Sequence, residues 1–180
     1  LLLARIATGD QTLDLDTCER LLISEFGGAD SISLRRIRTA LLAARVDETD
    51  LRGGTQMLID AIDKGNIPIE DNAALTRVHE LLAHARKSLH KKGARAEDLL
   101  WAIWDNAKSS DNEKLSITWR NSALRGGNRG AGADRDLDAM IQLFDSAQRF
   151  TERFPYSKPS AFLDEIARES IVGDLITSQG

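Results

Sequence analysis

Residues 133–154, ADRDLDAMIQLFDSAQRFTERF, decide the fold. Leu137, Met140, Ile141, Phe144, Ala147 and Phe150 recur three and four apart. A helix of about 3.6 residues per turn gathers such positions into one apolar stripe, whereas a strand would scatter them over both faces. The spacing predicts a helix closed by Pro155, with Asp134 and Asp136 favoured at its positive N-terminus. Just before it, residues 126–132 (GGNRGAG) hold four glycines in seven positions and read as a mobile loop.

The same period runs through the rest of the chain. Over residues 31–45, Leu34, Ile37, Leu41 and Leu42 make a stripe on a helix that Asp30 or Ser31 can cap. Asn72 can cap the next long helix, whose buried stripe is Leu75, Val78, Leu82, Ala85 and Leu89, with Gly93 as its stop. Residues 96–107 start afresh, with Leu100, Trp104 and Ala107 facing the core and Trp101 flanking. Trp101, Trp104 and Trp119 are all expected to pack in the core, Trp119, flanked by Arg120, being the one with the alternative of a stacking surface for a base. Shorter helices are expected over residues 16–24, 55–63, 113–124 and 160–170, separated by Gly27-Gly28, Gly53-Gly54 and Ile67-Pro68. The one strand-like alternation, LSITW at 115–119, is too short to build a sheet. The expected fold is therefore all-α, an irregular bundle of about eight helices with no sheet, in one domain over residues 1–180. Residues 1–7 are an uncapped apolar stub beginning with Leu1, which suggests a piece of a longer chain.

Composition narrows the function classes. The chain has 180 residues with 24 basic and 28 acidic side chains, a net charge of −4. A chain of this length buries roughly 70% of its unfolded surface and needs no staples. Cys18 is the one cysteine, which excludes an internal disulfide or a multi-cysteine metal site and predicts a reducing, cytoplasmic home. The longest apolar runs fall far short of the roughly 18 residues a membrane span requires, so no membrane partner is expected.

Motifs for chemistry are sparse. HELLAH at 79–84 resembles a zinc-protease signature with one residue too many, and five residues turn the two histidines roughly 140° apart on a helix. No metal is expected there. Asp134, Asp136 and Asp138 alternate like calcium ligands, but Ala139 stands where the turn glycine belongs. No phosphate loop of the G-x-x-x-x-G-K-[ST] type occurs, and Cys18 has no histidine nearby in sequence. No catalytic residue and no cofactor are expected within the chain.

Charge is what remains. Arg35, Arg38 and Arg45, with Arg36 alongside, form a basic ridge opposite the apolar stripe of their helix. The turn FGGAD at 26–30, carrying Gly27 and Gly28, leads into that helix, where free backbone N–H groups could meet an anion. Arg86, Lys87, Lys91, Lys92 and Arg95 surround a helix C-terminus, where cations are favoured.

Three stretches, FGGADSISLRRIRTALL (26–42), GARAEDLLWAIW (93–104) and GAGADRDLDAMIQLFDSAQR (130–149), together resemble the accessory 2B region of UvrD/Rep-type superfamily 1 DNA helicases. The likeness runs from about residue 3 to residue 174 and is nearest to the actinobacterial AdnAB branch related to RecB. The resemblance implies a non-catalytic helical insertion in an ATP-dependent DNA helicase, engaging duplex DNA or a single-strand/duplex junction, or regulating the motor. ATP and Mg2+ would then serve the parent chain outside these residues. Partners would be DNA, the motor domains of the same polypeptide and a helicase–nuclease subunit. The resemblance puts Gly27, Gly28, Arg35, Arg36 and Arg38 at the family's duplex-contacting turn and helix, and the charge pattern adds Arg45, Lys91, Lys92 and Arg95 as candidate DNA-binding residues. Where the family carries a Gly-x-Gly turn this chain reads Gly-Gly-Ala-Asp, so Asp30 sets a negative charge beside the turn. The alternative is a helical protein-interaction module with no DNA contact.

Overall fold

Apolar residues three and four apart and well-placed caps produce helices throughout. A computed structural model describes residues 1–44, 52–70 and 73–177, with side chains through residue 169. Among the described residues there are nine helices, α1 (Leu2–Thr8), α2 (Leu15–Ile23), α3 (Ser31–Ala43), α4 (Gly54–Lys64), α5 (Ala73–Leu89), α6 (Ala96–Asn106), α7 (Leu115–Arg125), α8 (Gly127–Arg153) and α9 (Pro159–Thr177). There is no sheet among them, only an isolated bridge between Lys108 and Lys114. The all-α expectation is met. None of these helices is long and apolar enough to cross a membrane.

Local chemistry sets several boundaries. Asp14 and Thr17 close a reciprocal capping box on α2, with Thr17 N–H donating to Asp14 Oδ1 at 2.9 Å and Asp14 N–H to Thr17 Oγ1 at 2.8 Å. Asp30 caps α3, accepting from Ser33 N–H at 2.7 Å. The expected cap Asn72 lies outside the described residues. Helix α1 has no side-chain cap and only seven residues, too short to persist on propensity alone. Burial of Leu3, Ala4 and Ile6 stabilises it, chiefly through packing on α5. It is the element that takes the count beyond eight.

Helix α5 is the axis of the core. It packs against α1, α2, α4 and α6, and Leu75, Val78, Leu82 and Ala85 are at most 1% exposed. Leu89, at its end, is half-buried. In α3, Leu34, Ile37 and Leu41 are buried as the stripe predicts, while Leu42 is exposed. Helix α9 contributes Phe162 and Leu163 against α1 and α6.

The α7–α8 hairpin departs most from expectation. Residues 127–132 are helical, the opening turns of α8, and not a loop. Gly126 and Gly127, at φ 71°, make the reversal between the two helices. Gly130 is glycine for a packing reason, since a Cβ there would lie 2.8 Å from the Ser122 carbonyl oxygen. The absent side chain lets α8 press on the last turn of α7. Because α8 starts well before residue 133, Asp134 and Asp136 fall in its second and third turns, beyond the reach of the N-terminal dipole. Of the predicted stripe, Ala147 is buried, Leu137, Met140, Phe144 and Phe150 are half-buried, and Ile141 is 60% exposed. The 27-residue helix spans about 40 Å and packs mainly on α7 and α6, which leave its stripe only partly covered.

Candidate nucleic-acid interface

The glycine turn before α3 spends its donors internally. Gly27 N–H and Gly28 N–H both reach the Ser24 carbonyl, at 3.0 and 2.7 Å, and Ala29 N–H reaches the Leu22 carbonyl at 2.9 Å. Gly27 lies so close to Leu22 that a Cβ would overlap its backbone, and Gly28 has φ 65°. Beyond the turn, the Asp30 carboxylate occupies the N-terminus of α3. Its hydrogen bond from Ser33 N–H holds it below the ordinary carboxylate range, so it is a fixed negative charge at neutral pH. The expectation of free N–H groups at this turn is therefore corrected: turn and cap form a closed structural joint. Arg77 of α5 locks it further by donating from Nη2 to the Gly27 carbonyl.

The arginines of the α3 ridge separate in the fold. Arg35 and Arg36 are exposed on α3. Arg38 Nη1 donates to Glu19 Oε1 of α2 at 2.9 Å, which reduces its value as a free cation. Arg45 lies outside the described residues. What remains for an anion at this end is Arg35 and Arg36, with Asp30 nearby.

The other basic cluster is better preserved. Arg86 is withdrawn, its Nη2 2.7 Å from Asp63 Oδ1. Lys87, Lys91, Lys92 and Arg95 are exposed and form no ion pair among the described residues. They surround the C-terminal end of α5, whose dipole favours cations, and the Gly93 turn (φ 72°) folds Arg95 back to the start of α6. Lys87 and Lys91 line a groove of about 390 Å³ between α5 and α6, together with His84 and Trp101. Lys91 also borders a second cavity of about 490 Å³ lined by Tyr156 and Lys158. The cationic surface thus extends past α5 to the segment leading into α9.

The two basic regions do not merge. Arg77 marks where the glycine turn meets α5, and Lys87 lies ten residues further on, about 15 Å along the helix axis. Of the residues singled out in the sequence, Lys91, Lys92 and Arg95 come together, while Gly27, Gly28, Arg35, Arg36 and Arg38 belong to a separate corner.

Three features escaped the sequence pattern. Arg77 reads as an ordinary helix-surface arginine, yet burial lowers its pKa and leaves Nε without a partner. Trp101, expected in the core, is 55% exposed, beside Phe144 at a ring-centroid distance of 4.6 Å. Its spacing from Asp98 and Asp105, which line the same groove, places it on the polar side of α6, a signal legible in the sequence. Trp104 and Trp119 are half-buried and pack together at 5.3 Å. Asp60, finally, is a buried acid with three donors, Arg52 Nη1 at 2.8 Å, Lys64 Nζ at 2.9 Å and Gln56 Nε2 at 3.2 Å. Gln56 and Lys64 stand one turn either side of it.

The histidine pair of HELLAH is not brought together as ligands. His79 is half-buried with Nδ1 2.8 Å from the Ile62 carbonyl, and His84 is exposed on the α5–α6 groove. Among the described residues no three His, Cys, Asp or Glu side chains are grouped to hold a metal ion. Compared with known proteins, the chain matches no protein-family model, and no curated protein matches it in sequence.

Proposed function

We propose that this chain is a non-catalytic helical accessory domain that holds DNA for an ATP-dependent helicase motor carried outside these residues. The observation that carries the DNA contact is the group of four exposed cations without acid partners among the described residues, Lys87, Lys91, Lys92 and Arg95, at one corner of an acidic molecule. Cations arranged around a helix end hold phosphates without reading base sequence, so the domain would select DNA by shape. The helicase parentage rests on the order of the three stretches 26–42, 93–104 and 130–149 and on their resemblance to the 2B region. ATP and Mg2+ would belong to the motor, and the motor domains of the same polypeptide and a helicase–nuclease subunit would be its protein partners. The glycine turn has no part in this contact, because the Gly27, Gly28 and Ala29 N–H groups are already bonded and the Asp30 carboxylate sits at the α3 N-terminus.

Fluorescence anisotropy of a labelled single-strand/duplex junction across a salt series tests the proposal. Four phosphate contacts predict a slope of log affinity against log salt of about −3.6 on duplex DNA. Reversing Lys87, Lys91, Lys92 and Arg95 to glutamate is expected to abolish most of that slope and leave the helical circular dichroism unchanged. Reversing Arg35 and Arg36 is expected to change it far less. The second reading, a protein-docking module, is favoured by Ile32, Leu124 and Ile141, which are 66, 80 and 60% exposed. Absence of wild-type binding at low salt would decide for it.

A further inference from the structure

The α5–α6 groove holds an aromatic side chain where a phosphate-binding surface alone would need none. We propose that Trp101 is a stacking platform for an unpaired base of a single nucleic-acid strand whose backbone runs over Lys87 and Lys91. This rests on the reading of that corner as a DNA contact and names the form of DNA it takes.

Leaving an indole in water forgoes the stabilisation that burying it would bring. Trp104 and Trp119 avoid that loss by packing on each other, while Trp101 stays 55% exposed on the groove wall. Phe144 stands behind it with its ring tilted 43° at 4.6 Å, a contact that holds the indole in place. The groove, at about 390 Å³, is open to solvent and presents Trp101, Lys87 and Lys91 on one surface.

Its charges suit a phosphate as well. Lys87 and Lys91 have no acid partner among the described residues. Of the two acids on the wall, Asp105 is paired with Lys114, its Oδ1 2.6 Å from Nζ, while Asp98, whose Oδ2 accepts from the Arg95 backbone N–H at 2.9 Å, keeps its charge, so two lysines face one free carboxylate. Ring and lysines together match a nucleotide, whose flat base and charged phosphate are joined by a short sugar. In a duplex the base faces are already covered by their neighbours, so the ring discriminates for unpaired strands. An acidic peptide would use the lysines and leave the ring idle.

Tryptophan fluorescence titrated with a short oligodeoxythymidylate, a blunt duplex and polyglutamate tests the assignment. The single strand is expected to quench wild-type emission, and the quench is expected to disappear in Trp101→Phe with affinity largely kept, since phenylalanine still stacks. Trp101→Ala is expected to lose single-strand affinity by about tenfold or more while duplex affinity, read by anisotropy, holds. Single-strand affinity unchanged in Trp101→Ala overturns the stacking role. If the Lys87→Glu/Lys91→Glu variant has meanwhile lost duplex binding, the phosphate-binding reading still stands. Wild type that binds neither strand form overturns both. Polyglutamate binding with the same Trp101 dependence overturns the nucleic-acid assignment in favour of an acidic protein segment.

Discussion

Cys18 and Arg77 show what burial does to a single reactive or charged group. Cys18 is 0% exposed, and burial, reinforced by Asp14, Glu19 and Asp63, pushes its thiol up to about 12. A thiol reagent at pH 8 is therefore expected to label it only when the chain unfolds, which mass spectrometry with and without denaturant would read. Rapid stoichiometric labelling of the native chain would contradict the packing around α2. Arg77 works differently, because its guanidinium is placed by the glycine turn that it locks. Its hydrogen bond to Gly27 joins positions 50 residues apart, and nothing in the local run TRVHE marks residue 77 for that partner. A residue's type was legible in the sequence, but its neighbour was not.

The glycines of α8 serve two purposes, and substitution separates them. Gly130 faces the α7 carbonyls, whereas a Cβ on Gly132 would meet nothing within 4 Å. Gly132→Ala is expected to stabilise the domain by about 0.5–1 kcal/mol, since a helical glycine without a packing reason only adds unfolded-state freedom. Gly130→Ala is expected to destabilise it by about 1–3 kcal/mol by forcing the α7–α8 hairpin apart. Thermal unfolding followed by circular dichroism decides, and equal effects at the two sites would contradict the close helix crossing. The loop reading of residues 126–132 failed for this reason. Glycine frequency signals either conformational freedom or close approach, and only the position of α7 tells which. Elements with a cap and a strong stripe, such as α2 and α3, or with a long stripe, such as α5, carry their own evidence; α1 does not, because packing on α5 is what makes it a helix.

At the scale of the molecule, charge governs both stability and binding. Asp60, Asp14 and Asp30 all have lowered pKa values: hydrogen bonds from Lys64 and Arg52 act on Asp60, and helix-cap N–H groups act on Asp14 and Asp30. The unfolded chain takes up these protons at the ordinary carboxylate values near 4, before the folded one does. Their contribution to stability is therefore full above that range and is lost as pH falls through the folded-state values. The melting temperature is expected to hold from neutral pH to about pH 5 and then fall, with a shallower fall in Asp60→Asn. An equally steep fall in that variant would remove Asp60 from the acid response. With a net charge of −4, the whole molecule gives DNA no long-range attraction, so any contact depends on where a few cations stand. The all-α class, most helix positions and the basic character of residues 86–95 were determined by the sequence alone, because periodicity and helix-end preferences act within a turn or two of chain. Tertiary structure decided which cations stay free: Glu19 and Asp63 reach Arg38 and Arg86 from other helices, at separations of 19 and 23 residues. It also decided that the glycine turn is closed, through Arg77 from α5. Those outcomes depend on contacts between distant segments, and a one-dimensional pattern does not encode which distant segment arrives.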